Sequence, residues 1–362
     1  MSKPTGRTCC NSLVTFIVAE RIMNLTPSRR DFLKTASLAT ACAVGALDIG
    51  RARAQDPVTP PIQKPGAPIE RVGSSYLKVS LNAYSFAKLL NDYNKKRGPG
   101  IALPALLDFC AKNNFDAMDP TGYFFPTYPE VPSDAYINDF KRKAFELGVA
   151  ISGTGVRNQF TTSDKSLRQQ GIDHIKQWVE VAAKLGAPVL RVFADTQVRA
   201  MTWHDVAKGS THDDVQKWIA EALHECAEHS KKYGVLIGVQ NHGDFLQTAD
   251  NLLDLIKAAD SDWVGAIVDT GYFKTPDPYK DMAQAAPYAV NWQVKTSAFG
   301  QDSPIPIDLI RLLKIIRASN YRGYLPIETL STKNVPNAPV YDPFTVVPKF
   351  LAQLRDAIAQ TA

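Results

Sequence analysis

Val235-Leu-Ile-Gly-Val-Gln-Asn-His242, followed by Gly243-Asp244-Phe245, reads as a buried strand that breaks into a polar cluster at its C-terminal end. Val235, Ile237 and Val239 are β-branched, and the hydrophilic residues begin only at Gln240. Side chains alternate across a strand, so Gln240 and His242 point to one face and Asn241 to the other. The pattern recurs downstream. Trp263-Val-Gly-Ala-Ile-Val-Asp269 ends on a carboxylate, Val290-Asn-Trp-Gln-Val-Lys295 on an amide and an amine, and Tyr324-Leu-Pro-Ile-Glu328 on a carboxylate. Apolar strands with polar C-terminal tips are what an α/β barrel requires, because its active site is assembled at that end of the strands.

Working outward from that strand, eight candidates centre near Leu81, Ala117, Ser152, Leu190, Ile237, Ile267, Trp292 and Pro326. Helical spacing lies between them. Ile175, Trp178, Val181, Ala182 and Leu185 recur at intervals of three and four residues, as do Val215, Trp218, Ala222 and Cys226, and then Leu309, Leu312, Leu313 and Ile316. Gly148, Gly186 and Gly234 each stand where a helix should close before the next strand. Alternation of this kind calls for parallel strands joined by right-handed crossovers. Eight units favour a closed (β/α)8 TIM barrel over an open sheet, and a barrel of about 250 residues is one domain. The remaining strand ends then fall at Asn82-Ala-Tyr84, Asp119-Pro-Thr-Gly-Tyr123, Arg157-Asn158 and Arg191.

The front of the chain has a different purpose. Ser28-Arg-Arg-Asp-Phe-Leu-Lys34, a mildly apolar run to Gly50 and the small-residue site Ala52-Arg53-Ala54 resemble a twin-arginine export signal over residues 1–54. Residues 1–22 precede a second possible start at Met23 and read as a gene-model extension. The apolar run falls short of the ~20 residues that span a bilayer, so no stable membrane insertion is expected after cleavage. The expected partner is the twin-arginine (Tat) export machinery, and the expected location is the periplasm. Pro57, Pro60, Pro61, Pro65 and Pro68 mark a proline-rich linker over residues 55–75, with the barrel occupying 76–362.

Cleavage changes the charge balance. The whole chain has 41 Lys+Arg against 36 Asp+Glu, a formal +5; removing residues 1–54, with eight basic and three acidic side chains, leaves 33 of each. The basic character belongs to the signal, and nucleic-acid binding loses its electrostatic support. Of five cysteines only Cys110 and Cys226 would remain, both on apolar helix faces, so free buried thiols are expected. That fits a protein folded before transport.

There is no P-loop, no Gly-x-Ser-x-Gly elbow and no paired cysteines suited to zinc. What stands out is an oxygen-rich group, Gln240, Asp269, Gln293 and Glu328, one from each of four successive strands. Two carboxylates would balance a divalent cation and two amide carbonyls could complete a hard shell, which suits Mn²⁺, or Mg²⁺, better than Zn²⁺. A hydrogen-bonded network without metal is the alternative. Around this group, Tyr84, Asp119, Tyr123, Arg157 and Arg191 stand at the other strand ends as substrate-binding candidates. Within the aromatic run Tyr123-Phe-Phe-Pro-Thr-Tyr128, a sugar-stacking wall competes with simple loop packing for Phe124 and Phe125.

Several segments carry a resemblance: Asp116-Ala-Met-Asp-Pro-Thr-Gly-Tyr-Phe-Phe125, Gln240-Asn-His-Gly-Asp244, Ile267-Val-Asp-Thr-Gly271, Ala289-Val-Asn-Trp-Gln-Val-Lys295 and Tyr321-Arg-Gly-Tyr-Leu-Pro-Ile-Glu328. On these, residues 76–362 resemble the xylose-isomerase-like sugar (phosphate) isomerase/epimerase barrels. The resemblance implies a divalent ion held by Glu, Asp, His and Glu from the last four strands. Asp269 and Glu328 match by position; Gln240 stands where a Glu is usual and Gln293 where a His is usual. It also implies two-base epimerisation through two metal-binding glutamates, and Gln240 removes one of them. One-base chemistry is then expected on an unphosphorylated sugar or keto-glycoside. Glu328 would be the base, His242 a second proton-transfer group, and Lys295 a stabiliser of the enediolate oxygen or a structural ion-pair partner. Some relatives are lyases on 3-keto-glycosides, which makes β-elimination an alternative outcome. Two other readings are a non-catalytic carbohydrate-binding barrel and an abasic-site nuclease, the latter disfavoured by neutral charge and few histidines. No Gly-rich loop after strand seven or eight implies a phosphate site.

Overall fold

The computed structural model describes residues 63–332 and 340–362. Nine strands run β1 (Tyr76–Asn82), β2 (Ala117–Asp119), β3 (Ala150–Ile151), β4 (Thr154–Gly155), β5 (Val189–Phe193), β6 (Leu236–Gln240), β7 (Val264–Asp269), β8 (Ala289–Lys295) and β9 (Arg322–Glu328). Every pairing is parallel, in the order β3-β2-β1-β9-β8-β7-β6-β5-β4. The two end strands are consecutive in sequence. β3 pairs with β2 and β4 with β5, so they are two pieces of one barrel strand interrupted at Ser152-Gly153. Counted that way, the fold is the expected eight-stranded barrel, nearly closed.

The interruption has a physical origin inside the barrel. Ser152, expected at the centre of the third strand, shares a hydrogen bond with Ser80 Oγ at 2.6 Å, and its carbonyl accepts from Asn291 Nδ2 at 3.2 Å. A polar filling at this level replaces part of the ladder. The third and fourth strand ends differ from those expected: β4 stops at Gly155, short of Arg157, and β5 runs past Arg191 to Phe193.

Helices surround the sheet and bury the periodic residues named above, Trp218 and Leu309 only in part. The helix α4 (Lys165–Leu185) starts at Asp164, whose carboxylate accepts from the amides of Ser166 and Leu167, and it ends at Gly186 with φ 79°. Trp178 and Ile175 on its inner face are fully buried. The helix α6 (His212–Ser230) opens with a reciprocal Thr211–Asp214 capping box. Cys110 and Cys226 are buried and free.

A bulge decides what the rim presents. Between β7 and β8, Ala266 faces Ala289 and Ile267 faces Asn291, so Val290 is an extra residue. Beyond it Asp269 lies beside Gln293, and on the next pair Lys295 lies beside Glu328.

The expected export signal over residues 1–54, the first part of the expected proline-rich linker and residues 333–339 lie outside the described residues. From residue 63 onward the chain is held on the barrel. Ile69 donates its amide to Pro287 O, and the Arg71 guanidinium donates to the carbonyls of Pro287, Ser319 and Ala289 at 2.6–3.2 Å. Among the described residues, no helix is long and apolar enough to cross a membrane.

Candidate active site

The four polar tips from β6 to β9 converge. Gln240 Nε2 donates to Asp269 Oδ2 at 2.5 Å, and Gln293 Nε2 donates to Glu328 Oε2. Asn241, on the other face of β6 as alternation requires, stitches the rim. Its amide donates to Asp269 O and its carbonyl accepts from Asp269 N. All four tip side chains are buried.

A fifth side chain joins them. Lys295 Nζ lies 2.5 Å from Glu328 Oε1 and 3.4 Å from Asp269 Oδ2. Burial lowers the affinity of an ammonium for its proton, but Asp269 and Glu328 more than reverse this, and Lys295 is held protonated well above the usual lysine range. Burial would raise Glu328; the Lys295 charge and the hydrogen bonds from Lys295 and Gln293 outweigh it and bring the carboxyl below its usual range. Asp269 moves upward through burial, which the more distant Lys295 only partly offsets.

This arrangement does not fit the expected Mn²⁺ or Mg²⁺ site. The position between the two carboxylates is filled by an ammonium, and both glutamines turn N–H rather than carbonyl oxygen toward them. Among the described residues, no three His, Cys, Asp or Glu side chains are grouped as a metal site. Of the polar atoms of these four tips, Gln240 Oε1 is buried without a partner.

The network forms part of the floor and wall of a cavity of about 370 Å³ at the C-terminal rim. His242 lines the same cavity. Its Nδ1 lies 2.9 Å from Asp195 Oδ2, and its ring sits between Phe193 at 4.8 Å and Tyr272 at 4.1 Å. The pair is made possible by Gly243 (φ 72°), where a Cβ would stand 2.3 Å from Asp195. With Nδ1 engaged by Asp195, Nε2 is the nitrogen left for a substrate.

The remaining predicted residues stand in or just past the ends of β1, β2, β4 and β5. Tyr84, Tyr123, Arg157 and Arg191 line the cavity. Arg191 donates to Tyr123 Oη at 3.0 Å, Tyr84 meets the Tyr123 ring edge-on at 6.0 Å, and the exposed Arg157 lies over that ring at 5.2 Å. Asp119 lies beneath, fully buried, and burial pushes its carboxyl up to about 6 against the pull of Arg191. Phe124 and Phe125 are buried, Phe125 against Trp178, so loop packing rather than a stacking wall describes them; Tyr123 alone of the three faces the cavity.

Asp195, Tyr272 and Tyr341 were missed. Asp195 follows Phe193-Ala194 directly and obeys the same apolar-body, polar-tip rule, but the strand end had been placed at Arg191. Tyr272 adjoins the Asp269-Thr-Gly271 tip. Tyr341, whose hydroxyl bonds Thr329 and Ser85 O, reaches the rim from beyond β9 and gives no local sequence signal.

Comparison with known proteins agrees with this architecture. The family model described as a xylose isomerase-like TIM barrel matches residues 107–343. A 3-keto-D-glucoside 4-epimerase from E. coli superposes with a TM-score of 0.60 at 14% identity, covering 78% of this chain and 99% of that one. A D-psicose 3-epimerase with D-tagatose from Clostridium cellulolyticum H10 gives 0.58 at 15% identity, covering 78% and 98%. An L-ribulose 3-epimerase gives 0.59 at 16%, covering 78% and 96%. At these identities the likeness speaks for the fold. No curated protein matches the sequence.

Proposed function

Because the chain belongs to the xylose isomerase-like TIM-barrel family, we propose that its rim cavity carries out carbon-acid chemistry on an unphosphorylated sugar or keto-glycoside, as a sugar isomerase or epimerase. The observation that carries this reading is the presence of two proton-transfer groups in one cavity, the His242–Asp195 pair and the Glu328–Lys295 pair. The solved structures with this fold include epimerases named for 3-keto-D-glucoside, D-psicose and L-ribulose, which supports a sugar as substrate.

In this mechanism a C–H bond next to a carbonyl breaks, its electron pair moves onto the carbonyl oxygen, and Lys295 donates a hydrogen bond to the oxyanion. His242 Nε2 is suited to take the proton, since Asp195 fixes its ring and tautomer. Glu328, held anionic by Lys295, is the weaker base and works with Lys295 on the oxygen side. Sequence reasoning expected one-base chemistry once Gln240 replaced a glutamate; His242 supplies the second group. Return of the proton to the other face gives an epimer; its delivery to the former carbonyl carbon, with the neighbouring hydroxyl proton passing to the enolate oxygen, gives an isomer. Loss of a β-substituent from the same carbanion gives the lyase outcome on a 3-keto-glycoside.

The Mn²⁺ or Mg²⁺ expected at Gln240, Asp269, Gln293 and Glu328 has the unpartnered Gln240 Oε1 in its favour and the intervening ammonium against it. No step above passes through the ion. The twin-arginine pattern at residues 28–34 supports export to the periplasm, which fractionation of cells expressing the full chain would test.

The activity test is proton–deuterium exchange in D2O, screened by NMR over 3-keto-glucosides and ketohexoses. Deuterium at the carbon next to the carbonyl is the expected result, and the product tells epimerase, isomerase and lyase apart. Sugar binding without exchange would replace the enzyme by a carbohydrate-binding barrel.

A further inference from the structure

We infer that this barrel carries its own cation: the ammonium of Lys295 fills the place between Asp269 and Glu328 that a divalent ion would need, and so excludes one. The inference concerns the same site as the catalytic reading, and its role in turnover rests on that reading.

Position is the first argument. Lys295 lies in register with Glu328 across β8 and β9, and its Nζ reaches Glu328 Oε1 at 2.5 Å and Asp269 Oδ2 at 3.4 Å. The stem is seated as well as the head. Gly271 leaves the space in which it runs, since a Cβ there would stand 2.9 Å from Lys295 Cγ. Lys295 N donates to Thr270 Oγ1 at 2.9 Å, and the Tyr272 ring lies 5.6 Å from the ammonium.

Saturation is the second. All four carboxylate oxygens of Asp269 and Glu328 already accept a hydrogen: Asp269 Oδ1 from Gly271 N, Asp269 Oδ2 from Gln240, Glu328 Oε1 from Lys295 and Glu328 Oε2 from Gln293. A divalent ion would have to expel a buried ammonium and turn both amides around. The chemistry of the replacements points the same way. Neutral amides stand at Gln240 and Gln293, so one lysine offsets half the charge of the two carboxylates, and a glutamate at 240 would add a third negative charge.

The test uses the purified full chain and Mn²⁺ itself, followed by loss of the free-ion signal in electron paramagnetic resonance. Wild type is expected to take up no stoichiometric Mn²⁺. Lys295→Ala is expected to gain Mn²⁺ affinity by about 100-fold, the scale on which metal-site neighbours act, and Lys295→Arg, which keeps the charge, is expected not to. Stoichiometric Mn²⁺ on wild type overturns the inference, as does Lys295→Ala binding no better than wild type. If Lys295→Ala fails to fold, the wild-type titration and Lys295→Arg decide alone. Because the readout needs no substrate, a protein that binds no Mn²⁺ and exchanges no sugar proton would sink the catalytic reading and leave this one standing; Mn²⁺ uptake with exchange would do the reverse.

Discussion

The two halves of the rim are built on opposite principles. On β6 to β9, Gln240, Gln293, Lys295 and the amide of Gly271 give every oxygen of Asp269 and Glu328 a donor, and Gln240 Oε1 is the tip atom left over. On β1 to β5, buried polar atoms are left over: Asn82 Nδ2, Asp119 Oδ1 and Arg191 Nε have no partner within the protein. Unsatisfied buried donors and acceptors are costly unless something else completes them. The difference assigns the labour. Under the proposed function the saturated half would hold fixed charge for the reacting oxygen, and the open donors and acceptors of the other half would meet substrate hydroxyls. His242 and Asp195, at the end of β6 and just past β5, stand at the seam.

The hardest blow to this division falls on Glu328. Glu328→Ala leaves the buried Lys295 with only its longer contact to Asp269, so deuterium exchange should fall by about 10³-fold. Stability in urea should drop by about 3 kcal/mol. Retained exchange would move the chemistry elsewhere. Next comes the seam: His242→Gln should lower kcat by about 10²-fold or more with little change in folding stability. Asp195→Asn, acting through His242, should lower it less and displace the pH profile, which a merely structural role for Asp195 would not do.

On the unsaturated side the effects should appear in KM. Tyr123→Phe removes the hydroxyl to which Arg191 donates, and an increase in KM of about 10-fold with kcat nearly unchanged is expected, on the scale of one lost hydrogen bond. A kcat loss as large as that of Glu328→Ala would erase the contrast between the halves.

The smallest effect is on stability and concerns Asp119. Burial raises its folded-state pKa to about 6, above its unfolded value. A raised folded pKa gives stability that is fully present below the unfolded pKa and lost as pH rises through about 6, so the ionised carboxylate is a liability at neutral pH. Asp119→Asn should therefore stabilise the fold more at pH 8 than at pH 4.5, by about 2 kcal/mol before the loss of Arg191's partner is counted. Paired urea titrations at the two pH values measure this, and no pH-dependent difference would contradict it.

Much of this was legible in the chain. Seven of the eight strand centres fall where the barrel has strands, because apolar runs ending in polar tips mark both the element and its direction. The exception is Ser152, which sits at a break created by the side chains of Ser80 and Asn291, long-range partners that no local pattern exposes. The candidate site was legible as a set of tips but not as a charge arrangement. That Lys295 would bend between two carboxylates depends on the Val290 bulge, which sets the register of β8, and on the slot at Gly271. Asp195 was lost to a two-residue error in one strand end.

The most direct test of the account is deuterium incorporation by the EDTA-dialysed wild-type chain into a keto-sugar, measured beside Glu328→Gln. The account predicts label at the carbon next to the carbonyl with wild type and almost none with the variant. Equal incorporation by both, or incorporation by wild type only after Mn²⁺ is restored, would contradict it.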